Sequence, residues 1–135
     1  MKNILCALAL STLAAFGNQR ETVAATILAE ARGEGESGMY AVACVIQQRA
    51  IDRKINAEKV CLQKYQFSCN NKVVQLNLLK TPQAEYALSL ADSLEKLDLS
   101  FVKNSNHYHT KDISPSWKKG KKPVITIGNH IFYKL

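Results

Sequence analysis

The chain predicts an α+β domain, helices first and a small antiparallel sheet last, on three observations. The run "RETVAATILAEAR" carries apolar residues at Val23, Ala24, Ile27, Leu28 and Ala31, the i, i+3, i+4 spacing of one helix face. A second run, "GMYAVACVIQQRAID", is so dense in apolar residues that a helix there must be buried on most of its circumference. The closing segment "VITIGNHIFYKL" sets β-branched and aromatic residues on either side of Gly128 and Asn129, the pattern of a tight hairpin.

Taken in order, Met1 and Lys2 precede the apolar run "ILCALALSTLAAF", and "AFG" supplies small residues where a signal peptidase reads. Residues 1–17 are therefore expected to be a signal peptide, cleaved after Gly17, in a run short for a bilayer span. Residues 18–135 then form a single domain with no internal linker or repeat. Gly33 and Gly35 end the first helix, and Ser37 is placed to cap the second. After the polar loop "CLQKYQFSCNNK", Thr81 is placed to cap a third helix with Pro82 at its first position. Ala84, Ala87, Leu88, Ala91, Leu94 and Leu97 line one face of that helix. "NHYHT" has the content of a strand or an exposed rim, and "SPSWKKGKKP" is a turn-rich basic loop.

The chain has 135 residues, of which 47% are hydrophobic and 21% charged, values of one globular domain long enough to bury a core. Eighteen Lys plus Arg against eleven Asp plus Glu give a formal charge of +7, which favours a polyanionic partner. Nucleic acid, anionic lipid and an acidic wall polymer all fit that sign. Export and the lack of interleaved aromatics in "KKGKKP" argue against nucleic acid. After cleavage the expectation is a monomer, acting in the periplasm or outside the cell, without stable membrane insertion. Export also puts Cys44, Cys61 and Cys69 in an oxidising compartment, whereas Cys6 leaves with the signal. Cys44 lies in an apolar helical pattern and reads as a buried thiol. Cys61 and Cys69 bracket the polar loop and are the favoured bridge, with Cys44 to Cys61 left open. No C-x-x-C spacing exists to hold zinc.

Glu30 is the leading candidate for chemistry. It falls in the last turn of the first helix, where the dipole and burial against the second helix disfavour a carboxylate, so it is expected to hold its proton as a general acid. Glu34 and Glu36 read as loop surface, with Arg32 as a local counter-charge. A glycosidase ordinarily needs a second carboxylate, and neither Glu34 nor Asp112 has a spacing that recommends it. A competing chemistry uses His107 and His109, alternating on one strand face, with His130 completing a three-histidine zinc site for an amidase or peptidase. Tyr65, Phe67, Tyr108 and Trp117 stand among amides and hydroxyls, the mixture a sugar-binding groove uses. A glycan-binding module that holds this ligand without cutting it is a third reading.

The segments "ILAEARGEGESGMYAVACVIQQR", "QFSC", "HYHTKDISPSW" and "IGNHIFYK", in this order, resemble the catalytic domain of the SleB-type cell wall hydrolases, the spore-cortex-lytic enzyme family. The resemblance runs from about Arg20 to Lys134, and the first motif is its specific part. It implies a mainly helical, lysozyme-like fold related to lytic transglycosylases, acting on the glycan strands of peptidoglycan with no cofactor and no metal. It implies that Glu30, first glutamate of the E-A-R-G-E motif, protonates the glycosidic oxygen after N-acetylmuramic acid and then deprotonates the sugar's C6 hydroxyl. An intramolecular hydroxyl in place of water explains why one carboxylate suffices. The resemblance further implies that Gln66, Phe67 and Ser68 line the cleft, with Tyr108, His109, Trp117, His130 and Tyr133 near the groove. Gln48 and Asn106 depart from the family's pattern, where asparagine and threonine are common.

Overall fold

The structure, a computed structural model, describes residues 19–63 and 72–135. The expected signal peptide, Tyr65, the Gln66 to Ser68 motif and Cys69 lie outside the described residues.

Helix α1 spans residues 19–31. Val23, Ala24, Ala25, Ile27, Leu28 and Ala31 are all buried, a wider face than the single stripe the spacing predicts. Thr26 is buried with them, and its hydroxyl donates to the Thr22 carbonyl at 2.8 Å, so that hydroxyl keeps a partner inside the core. Helix α2 (Gly35–Arg53) is the spine of the fold. Its Met39, Val42, Ala43 and Ile46 pack with α1, while Ala41, Cys44 and Val45 turn the other way onto Val102 and Phe132. Two buried faces leave little room for a polar stripe, which is why the run reads as apolar almost throughout.

Two predicted caps are corrected. A 3-10 turn, Arg32–Glu34, leads straight into α2, and Gly35 adopts φ +74, a left-handed value open to glycine at little cost. Ser37 consequently sits within the first turn of the helix, past its N-cap position. Thr81 caps nothing either: its hydroxyl donates to the Leu78 carbonyl at 2.6 Å and so closes α4 (Lys72–Leu78), while α5 (Ala84–Asp92) begins three residues later. The short α3 (Ala57–Leu62) between α2 and α4 does carry a side-chain cap, Asn56 accepting from the Lys59 amide at 2.8 Å. Ala84, Ala87 and Leu90 bury α5 against α1 and α2. Leu94 and Leu97 pack on the same core from beyond its end.

The sheet holds β1 (His107–Thr110), β2 (Ile125–Ile127) and β3 (His130–Tyr133), antiparallel in the order β1-β3-β2. Strands β2 and β3 are joined by the predicted two-residue turn, with Gly128 at φ +57, the first-position glycine of a primed hairpin turn. Phe132 on the middle strand is fully buried and docks the sheet on α2. The register pairs His107 with Tyr133 and Thr110 with His130. Directly opposed residues point to the same side, so His107, His109 and Tyr133 share one face while Tyr108, Thr110, His130 and Phe132 share the other.

That register overturns the three-histidine zinc site. His130 lies on the opposite side of the sheet from His107 and His109. The His109 ring is also spent: Nδ1 donates to the Thr110 carbonyl at 2.7 Å, leaving Nε2 to accept from the Tyr133 hydroxyl at 2.9 Å.

Candidate active site

A cleft of about 270 Å³ runs along the free edge of β1, lined by Glu30 and Arg49 from the helices, His107 to Thr110, and Ile113, Pro115 and Trp117 from the loop after β1. The last turn of α1 delivers Glu30 to its floor, half-buried. The Tyr108 hydroxyl bonds the Glu30 carboxyl. Burial first, and the neighbouring Glu30 charge second, push that phenol well above its ordinary range, so it stays a donor at any physiological pH. Arg49 is buried, its Nε donates to the Asn106 carbonyl at 2.7 Å, and its charge acts on both Tyr108 and Glu30. Burial lowers its pKa, yet a guanidinium remains charged. Glu30 is the one carboxylate among the described residues that line the cleft.

Aromatic rings build the outer wall. Trp117 meets His107 at 5.1 Å, His109 at 5.8 Å and Tyr133 at 5.1 Å, all edge-on. With the hydrogen bonds of His109 this fixes the indole beside the cleft. Of the site residues expected from sequence, Glu30, Tyr108, His109 and Trp117 therefore come together, and Tyr133 supports them from beneath. His130 does not line the cleft. It is 1% exposed, packed edge-on against Tyr108 with ring centroids 4.9 Å apart, and its Nδ1 contacts Glu34 Oε2.

Glu34 is correspondingly misread as loop surface. Its other oxygen accepts from the Asn129 amide at 2.5 Å, so the carboxylate joins the turn after α1 to the tip of the β2–β3 hairpin. Asp112 is exposed on the loop after β1, and bonds with Thr110 and its own backbone hold its carboxyl below the ordinary range. Neither acid reaches the cleft. Arg49 is the residue that sequence reasoning missed, and its signal was a lone cation inside an apolar helical run. Cys44 is buried as expected, its thiol pushed up to about 12, by burial first and the Asp98 charge second.

Two histidines, His107 in the cleft and His130 buried behind Tyr108, set an acid limit on stability. Burial, the largest cause for each, lowers the pKa of His107 and His130; Arg49 and Arg53 add to the effect at His107, while Glu34 opposes it at His130. A depressed folded value means that both rings fold neutral, so their contribution is complete above the ordinary histidine value of about 6.5 and is lost as pH falls through the depressed values. Thermal midpoints should hold steady from about pH 8 to 7 and decline below about 6.5. A midpoint unchanged down to about pH 5 would show that the rings protonate without cost.

The cell wall hydrolase family model matches residues 33–133 of the chain, a segment that opens just past Glu30. No curated protein sequence matches. Among solved structures, the catalytic domain of the germination-specific lytic transglycosylase SleB from Bacillus anthracis shares 24% identity at a TM-score of 0.66, over 87% of this chain and 94% of that one. The catalytic domain of the SleB protein of Bacillus cereus is similar at 24% identity and a TM-score of 0.65, over 87% and 91% of the two chains. Both have the same mainly helical, lysozyme-like fold with its small antiparallel sheet. No helix of the described residues is long and apolar enough to cross a membrane. With the family model covering most of the chain, this protein belongs to the cell wall hydrolase family.

Proposed function

We propose that the protein is an exported peptidoglycan-cleaving enzyme, a lytic transglycosylase that cuts the glycan strand after N-acetylmuramic acid with Glu30 as its single acid and base. The observation that carries this reading is the solitary carboxylate: Glu30 is the only acid among the described cleft-lining residues, and hydrolysis by two carboxylates needs a second across the bond. In the proposed reaction the Glu30 carboxyl gives its proton to the glycosidic oxygen as the C1–O bond breaks. The resulting carboxylate takes the proton of the muramic acid C6 hydroxyl while that oxygen bonds to C1. Glu30 ends protonated again, no water is consumed, and the product carries a 1,6-anhydro ring. Tyr108, fixed as a donor, orients the carboxyl, and the Arg49 charge supports its ionised form between the two steps. Trp117 and His109 offer ring faces and edges to the sugars. Gln66, Phe67 and Ser68 enter as further substrate contacts by the family resemblance alone.

Digests of purified sacculi analysed by mass spectrometry test the reaction type. Fragments should end in anhydromuramic acid. Reducing muramic ends would assign hydrolysis instead, and sacculi bound without any soluble fragment would make the protein a binding module.

A further inference from the structure

Residues 111–122 contain Lys111, Lys118, Lys119, Lys121 and Lys122 against the single acid Asp112. Five positive charges less one negative leave +4 of the chain's +7 in this one loop. We propose that this lysine loop, between β1 and β2, is a docking surface for the carboxylates of the peptides carried by the wall glycan. The inference rests on the glycan-cleaving reading above and extends it to the substituents of the substrate.

Three observations support it. Lys119, Lys121 and Lys122 are exposed and Lys118 partly so, and none of the salt bridges among the described residues involves them. The loop is also built rather than loose: the amides of Lys118, Lys119 and Lys121 donate to the carbonyls of Pro115, Ser116 and Lys118 at 3.2, 3.3 and 2.9 Å. Finally, the lysines follow directly on Trp117, whose ring is held by His107, His109 and Tyr133 at the cleft wall. Uncompensated like charges repel one another, and beside a concave site they raise the local concentration of an anionic ligand.

The position of the charges selects the anion. A polyphosphate backbone threading the cleft would bring its own charge against Glu30, whereas a glycan backbone is uncharged there. Peptides hang from the lactyl group of muramic acid and project away from the sugar chain. Their free carboxylates would leave the cleft past Trp117, the wall residue that the lysines directly follow in the chain.

The test compares the parent with a variant in which Lys118, Lys119, Lys121 and Lys122 are all changed to Gln. Both are sedimented with, and assayed on, native sacculi and sacculi whose carboxyls have been converted to amides. On native sacculi the variant should bind roughly tenfold more weakly and lose a similar factor in kcat/KM through KM, with a flatter dependence on salt. On amidated sacculi the parent should fall to the level of the variant, and the variant should not change. Equal binding of parent and variant to native sacculi, or equal binding of the parent to both kinds, overturns the proposal. Duplex DNA bound as tightly as sacculi by the parent, and lost in the variant, overturns the choice of ligand. Sedimentation is read without cleavage, so carboxylate-dependent binding with no soluble product would sustain the surface and sink the proposed reaction.

Discussion

Glu30→Gln is expected to slow the solubilisation of purified sacculi by about 10³-fold or more while leaving wall binding and the unfolding midpoint close to those of the parent. The loss is large because the proposed cycle uses the carboxyl twice, once to give a proton and once to take one, and an amide does neither at an accessible pH. The fold survives because the replacement is isosteric and half-exposed. Its side-chain oxygen can still accept the Tyr108 hydroxyl, which bonds Glu30 in the parent. Arg49 loses a neighbouring charge but keeps its bond to the Asn106 carbonyl. Solubilisation at the parent rate would remove Glu30 from the chemistry. A large loss accompanied by a collapsed midpoint would make it a structural residue instead, so both quantities must be measured on the same preparation.

What could be read from sequence was what depends on near neighbours. The stripes of α1 and α2 follow from a periodicity of three to four residues, and the hairpin from the Gly128–Asn129 pair, so each was legible in its own segment. The place of Glu30 in the last turn of α1 was legible too, because it ends an amphipathic helix whose direction settles which pole it faces. Cap residues were less informative than they looked. Ser37 and Thr81 have the chemistry of caps, but a 3-10 turn and a closing bond to Leu78 give their segments other solutions. The histidines divide at the same boundary: the shared face of His107 and His109 is a matter of alternation, whereas the opposite face of His130 depends on the pairing of β1 with β3. Arg49 was hidden because the carbonyl that satisfies it, that of Asn106, lies 57 residues further along.

Glu34 shows the largest consequence of such a distant partner, since its bond to the Asn129 amide spans 95 residues. Glu34→Ala should destabilise the fold by about 2–3 kcal/mol, the range for losing a hydrogen bond to a charged group whose partner stays buried. The buried partner is His130, whose only carboxylate contact among the described residues is Glu34. The damage should also reach the cleft, because His130 packs edge-on against Tyr108 and Tyr108 bonds Glu30. With the hairpin tip released from the turn after α1, the Tyr108 hydroxyl is no longer held in register with the carboxyl, and kcat should fall by about tenfold. Urea midpoints measure the first effect and initial rates on sacculi the second. A double-mutant cycle with Tyr108→Phe decides whether they are linked: if Glu34 acts through Tyr108, removing both costs less activity than the sum of the two losses. Full additivity would mean that the clamp and the tyrosine serve the site independently.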